Sequence, residues 1–133
     1  VRMGDPETEA VLPRIKSDLY DLFEGVAKQN LHEKSFSVTS KIATTVMLVS
    51  GGYPEAYEKG EEISGFENIK ESIVFHAGTN IKDNKVLTNG GRVMAITSLG
   101  DSIEEALENT YCSIEKIKFE KMNYRKDIGL DLL

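Results

Sequence analysis

Short turns rich in glycine and asparagine, and not helices, separate the apolar runs in the middle of this chain. Ser50-Gly51-Gly52-Tyr53-Pro54, Gly78-Thr79, Asp83-Asn84 and Asn89-Gly90-Gly91 each end or begin a run with strand character. Such turns suit antiparallel neighbours, since parallel strands need long crossovers. Helical periodicity is confined to the two ends. The order helix, strands, helix predicts an α+β fold: an antiparallel sheet or partial barrel with an N-terminal helix and a C-terminal helix packed on it.

The runs agree with the turns. Val38, Ile42, Val46 and Leu48 share one parity, and Thr39, Lys41, Ala43 and Thr45 the other. Residues 37–49 therefore read as one long strand, half buried at first and more fully buried by Met47–Val49. Glu55–Glu62 reads as a polar loop, and Ile63 begins a short strand before Gly65. Strands are expected at Ile73–Ala77, Lys85–Thr88 and Arg92–Leu99. Near the start, Asp5 or Thr8 can cap a short helix, with Glu7 and Glu9 near its positive end. Pro13 opens a second segment, and Leu12, Ile15, Leu19, Leu22, Phe23 and Val26 recur at helical spacing to about Asn30. That stripe predicts an amphipathic helix with one buried face. Asp101 with Glu104 resembles a capping box, and Ile103, Ala106, Leu107, Thr110, Tyr111, Ile114 and Ile117 continue as a helix to about Lys118. Cys112 falls among those positions and is expected to be a buried small hydrophobe. In the tail, Tyr124 and Ile128 flank Arg125, Lys126 and Asp127, a pattern expected to fold back onto the domain.

A formal net charge of -6 argues against a nucleic-acid partner or a basic membrane surface. No apolar run approaches the ~20 residues of a membrane span. The single cysteine forms no internal disulfide, which suits a reduced, cytoplasmic setting.

Few residues carry chemistry on their own. Arg2, beside the carboxylates of Gly4-Asp5-Pro6-Glu7, suits a site that handles phosphate or carboxylate oxygens, or a surface ion pair. Asp5 and Glu7 are candidate substrate or metal ligands, or Asp5 is only a helix cap. Glycine turns let backbone N–H groups converge on an anion, so Gly90-Gly91 with Arg92 reads either as a phosphate cradle or as an ordinary hairpin turn. His76 has no evident nucleophile or metal partner, which favours hydrogen bonding or packing over general-base work.

Seven segments in this order carry a resemblance. They are Arg2–Glu9; Val11–Arg14 with Ser17–Leu19; Ser50–Pro54; Val74–Thr79; Asn89–Val93; Leu99–Ser102; and Tyr124–Gly129. The chain resembles the C-terminal part of the phosphoribosylamine–glycine ligase family, ATP-grasp enzymes of purine biosynthesis. The resemblance implies a reaction in which ATP phosphorylates the glycine carboxylate. The amine of 5-phosphoribosylamine then attacks the acyl carbon, giving glycinamide ribonucleotide, ADP and phosphate. The family pattern Glu-x-Asn-x-Arg-x-Gly-Asp-Pro-Glu places its Arg at Arg2, while the Glu and Asn that hold magnesium would precede Val1.

The resemblance implies roles as well. Arg2 would face the glycyl phosphate oxygens as a catalytic residue. Asp5 and Glu7 would orient glycine or phosphoribosylamine. Gly90, Gly91 and Arg92 would hold the ribose 5-phosphate, with His76 and Thr79 bordering the same pocket and Lys126 as a further substrate contact. No metal ligand is expected in this chain; Mg2+ or Mn2+ and ATP would belong to the full-length enzyme, in the cytoplasm. Residues 1–30 would end the ATP-grasp catalytic domain and residues 31–133 would form the C-terminal domain. The partners would be the small substrates and the upstream domains of the same chain. The expected reading is a fragment of a monofunctional ligase, inactive alone. Two alternatives are the C-terminal domain of another ATP-grasp ligase, such as a carboxylase-like enzyme, and a stand-alone phosphosugar-binding or assembly domain.

Overall fold

The computed structural model describes residues 2–133. Five strands follow one another: β1 (Ile42–Val49), β2 (Ser72–His76), β3 (Thr79–Lys82), β4 (Lys85–Thr88) and β5 (Arg92–Gly100). β1, β5 and β2 form an antiparallel three-stranded sheet in that order, and β3 pairs with β4 as a separate hairpin. The hairpin turns on Asp83 (φ 49) and Asn84 (φ 62), the two left-handed residues that suit a two-residue connection between twisted strands.

β5 is the central strand, and Val93–Ser98 are buried without interruption. One face of the sheet carries a row of hydroxyls towards α3 (Ile103–Ile114). Thr44 Oγ1 donates to the Ala106 carbonyl (2.9 Å) and meets Thr110 Oγ1 (2.6 Å), while Ser72 Oγ meets Ser98 Oγ (2.7 Å) and Ser113 Oγ (2.6 Å). On the other face, Thr45 Oγ1 meets Thr97 Oγ1 (2.7 Å), and Thr97 donates to the Glu9 carbonyl (3.0 Å) of α1 (Glu7–Val11). Val46, Leu48, Met94, Ile96, Ile114 and Ile117 form the heart of the apolar core.

Several expectations need correction. The N-terminal stripe is not one helix. A tight turn at Leu12–Arg14 follows α1, Ile15 bridges Val38, and α2 (Leu19–Ala27) starts afresh. The restart is capped by Asp18, whose side chain accepts from Tyr20 N (2.8 Å) and Asp21 N (3.4 Å). Neither Asp5 nor Thr8 caps α1. Thr8 Oγ1 instead donates to the Gly4 carbonyl (2.6 Å). The apolar stripe of α2 is not buried within the chain: Phe23 is 67% exposed and Val26 59%. Because Val38 bridges Ile15, β1 begins only at Ile42 and buries Thr44, Val46 and Leu48.

At the other end, the capping pair is shifted by one. Ser102 Oγ accepts from Glu105 N (3.2 Å), and the Glu105 carboxylate accepts from Asp101 N (2.6 Å). α3 stops at Ile114 because Lys118 exchanges backbone hydrogen bonds with Ser64 (3.0 Å each), drawing the chain into an extended course. Cys112 is exposed. The buried face of α3 runs through Ala106, Leu107, Thr110, Ser113 and Ile114, which turns Cys112 away from the sheet.

Candidate functional site

The corner at Gly4–Glu7 lies against the start of β5. The Arg92 guanidinium reaches Asp5 twice, through Nη1 to its carbonyl (3.1 Å) and through Nη2 to its carboxylate (3.3 Å). Two candidate residues separated by 87 positions thus meet. The Glu7 carboxylate folds over Gly4, where a Cβ would collide with it. Glu9, two residues on, has a buried Oε2 with no hydrogen-bond partner among the described residues.

The turn before β5 is held from two sides. Ser50 N donates to the Gly91 carbonyl (2.8 Å), and Ser50 Oγ donates to that of Gly90 (2.9 Å). From the other side, Gly78 N donates to the Arg92 carbonyl (2.8 Å) and Asn89 N donates to the Gly78 carbonyl (2.7 Å). Gly78 and Gly90 touch backbone to backbone, and the Tyr53 ring lies on Gly91. Among the described residues, the N–H groups of Gly90 and Gly91 find no acceptor. Such N–H groups are met by water or by another outside acceptor.

The tail completes the site. Asn123 and Val49 exchange backbone hydrogen bonds (2.8 and 3.0 Å), laying the tail beside the end of β1. Tyr111 of α3 then grips it, donating from its hydroxyl to the Arg125 carbonyl (3.0 Å) and accepting from Ile128 N (3.3 Å). Arg125 pairs bidentately with Asp127 (2.9 and 2.8 Å). The hydrogen bonds from Arg125 hold the Asp127 carboxyl below the usual carboxylate range, and those same bonds, with the charge of Asp127, raise the Arg125 guanidinium. The corner, the end of β1 and the tail border a hollow of 440 Å³, with Pro6, Met47, Tyr53, Arg92, Arg125 and Ile128 among its walls and Gly90 and Gly91 outside them.

The other candidates fall elsewhere. His76 Nδ1 lies 3.0 Å from Thr79 Oγ1, and the ring meets Phe66 edge-on (5.6 Å). This pair faces a second hollow, with Asn80, Ile81 and Val86. β2 and β1 lie on opposite edges of β5, which separates His76 and Thr79 from the hollow at Arg92. Lys126 is exposed and is not among the residues of that hollow; Arg125 is. Arg2 is exposed beside the corner. Tyr53, Tyr111 and Arg125 were not singled out as site residues from the sequence. The only signal for Tyr53 and Arg125 was their place inside motif segments, and for Tyr111 its place in the apolar stripe of the last helix. Among the described residues, no group of three His, Cys, Asp or Glu side chains could hold a metal ion, and no helix is long and apolar enough to cross a membrane.

Known proteins resemble this chain in sequence and in fold. Residues 43–131 match the family described as phosphoribosylglycinamide synthetase, C domain. A phosphoribosylamine–glycine ligase of Caldanaerobacter subterraneus is 49% identical over 128 residues, covering 96% of this chain and 31% of the relative. A bifunctional purine biosynthetic protein of Dictyostelium discoideum is 44% identical, covering 96% of this chain and 16% of its own length. The crystal structure of a phosphoribosylamine–glycine ligase from Thermotoga maritima superposes with a TM-score of 0.75 at 36% identity, over 96% of this chain and 31% of that one. The chain thus spans at most about a third of the length of these relatives. By sequence and by fold, the chain belongs to the phosphoribosylglycinamide synthetase C-domain family.

Proposed function

We propose that this chain forms the substrate-phosphate side of an ATP-dependent carbon–nitrogen ligase that joins glycine to 5-phosphoribosylamine in purine biosynthesis. The contact between Arg92 and Asp5 carries the reading. It joins the corner expected to hold the reacting groups to the turn expected to hold the phosphate. In this reading the Gly90 and Gly91 amides and the Arg92 guanidinium receive the 5-phosphate of phosphoribosylamine, which lacks the neutral form that would bind an apolar wall. Asp5 and Glu7 orient the amine and glycine. Arg2 faces the acyl phosphate, where negative charge accumulates as the amine adds and phosphate departs.

ATP and Mg2+ or Mn2+ belong, in this proposal, to the remainder of a ligase-length chain working in the cytoplasm. Residues 1–30 would close the catalytic domain, with residues 31–133 as the C-terminal domain. The absence of the α2 apolar stripe from the core favours such a division. His76 and Thr79 are left as a hydrogen-bonded pair at the far edge of the sheet.

Steady-state kinetics on the ligase-length protein test the assignment. Arg92→Ala should raise KM for phosphoribosylamine and leave KM for ATP unchanged. Loss of a charge-assisted contact costs about 1.5–3 kcal/mol, roughly a ten- to hundredfold rise in KM. An equal rise for both substrates would contradict the phosphate role. The 133-residue chain on its own should release no ADP in a glycine-dependent manner, and turnover there would refute the division of labour.

A further inference from the structure

We propose that Arg125 is a second phosphate-binding guanidinium, acting on the same phosphate monoester as Arg92; this rests on the phosphate reading above. Both residues line the one hollow of 440 Å³, yet they reach it from different parts of the chain. Arg92 stands at the start of β5, and Arg125 stands in the tail that crosses beside the end of β1.

Arg125 is held ready rather than left loose. The Tyr111 hydroxyl fixes the backbone on both sides of it, through the Arg125 carbonyl and the Ile128 amide. Its side chain engages Asp127 through Nε and Nη2, so Nη1 and the outer hydrogens are still open to an incoming oxygen. Arg92 is arranged alike: it leans on Asp5 and keeps its remaining donors. Each guanidinium is thus paired with a carboxylate that stabilises its position without a ligand. Both pairs are substantially exposed, so their mutual attraction is weak and a phosphate dianion can compete for the arginines. Two planar forks match the oxygens of a phosphate monoester better than an ammonium does. Lys126, next in sequence, is exposed and is not among the residues of the hollow.

The test is titration of the 133-residue chain with ribose 5-phosphate, with ribose as the phosphate-free control, followed by NMR of the arginine side chains and backbone amides. In the wild type, ribose 5-phosphate should shift the Arg92 and Arg125 Nε signals together with the Gly90 and Gly91 amides, and ribose should shift none. Arg125→Gln should weaken binding roughly tenfold or more, Arg125→Lys should restore only part of it, and Lys82→Gln, on the separate β3–β4 hairpin, should leave it unchanged. Inorganic phosphate should follow the same order at weaker affinity, since the hollow also contacts the sugar. If Arg125→Gln binds as well as the wild type while Arg92→Ala does not, the Arg125 assignment falls and that of Arg92 stands. If the wild type does not bind ribose 5-phosphate at all, both fall. Unchanged amide shifts for Tyr111 and Ile128 in Arg125→Gln would show that the tail is still seated, so a loss of binding then belongs to the guanidinium.

Discussion

A Cβ on Gly78 would stand 2.7 Å from Gly90 Cα and 2.9 Å from Gly90 N, so the two turns approach as closely as glycines allow. Gly78→Ala must push them apart. Overpacking of this kind costs about 1–3 kcal/mol, to be seen as a lower urea midpoint at constant slope. Gly60→Ala is the control: its φ of 92° strains the new side chain, but nothing lies within 4 Å of it. The Arg125–Asp127 pair predicts a pH response. Because the folded Asp127 carboxyl sits below its ordinary 3.8, the pair stabilises the tail above that value and is lost as pH falls through the lowered one. Carboxyl carbon NMR of Asp127 should titrate below 3.8, and Arg125→Gln should return the midpoint towards 3.8. At this scale the sequence was only partly legible. Asp5 and Arg92 could be nominated from their motifs, but a contact across 87 positions leaves no local trace. Of the run Arg125-Lys126-Asp127 the sequence puts forward Lys126, because nothing local tells its two cations apart; the hollow has Arg125 among its walls.

Strands were the elements best read in advance, because two-residue parity and tight turns are local signals. β5 and the Asp83-Asn84 turn lie where those signals placed them. Helix ends were read less well. Asp101-Ser102 offers two adjacent caps, and the choice depends on which side chain meets the first turn. Ser102 does so, and Ser102→Ala should cost about 1 kcal/mol of stability. Asp101→Ala should cost less than about 0.5 kcal/mol, as at an ordinary surface position. Thermal unfolding of the two variants side by side checks the order; a larger loss for Asp101→Ala would reverse the assignment. The stripe on α2 is a different lesson. Periodicity shows that a face is apolar, but not what covers it, and here the described residues leave Phe23 and Val26 open.

For the molecule as a whole, that face is the largest departure from expectation. Tyr20, Phe23, Val26 and Phe36 stand 59–74% exposed around one side of α2. Exposed apolar patches of this kind mark surfaces that meet another surface. The chain should therefore self-associate as its concentration rises, and Phe23→Lys with Val26→Glu should keep it monomeric in sedimentation velocity. A wild type that stays monomeric throughout would remove the patch as an interface. The α+β architecture was legible because the helical signals lie at the ends and the turn signals between them. The division of the surface into covered and uncovered parts was not, since an apolar face in the sequence carries no mark of what packs on it. The clasp of Gly78 against Gly90, with Ser50 holding the far side, also limits what could be transplanted. Moving Asn89–Arg92 alone into a foreign sheet would carry the residues without their shape. The smallest portable unit is all three turns with the strand ends that bring them together, so a designer borrowing this cradle would have to borrow much of the sheet.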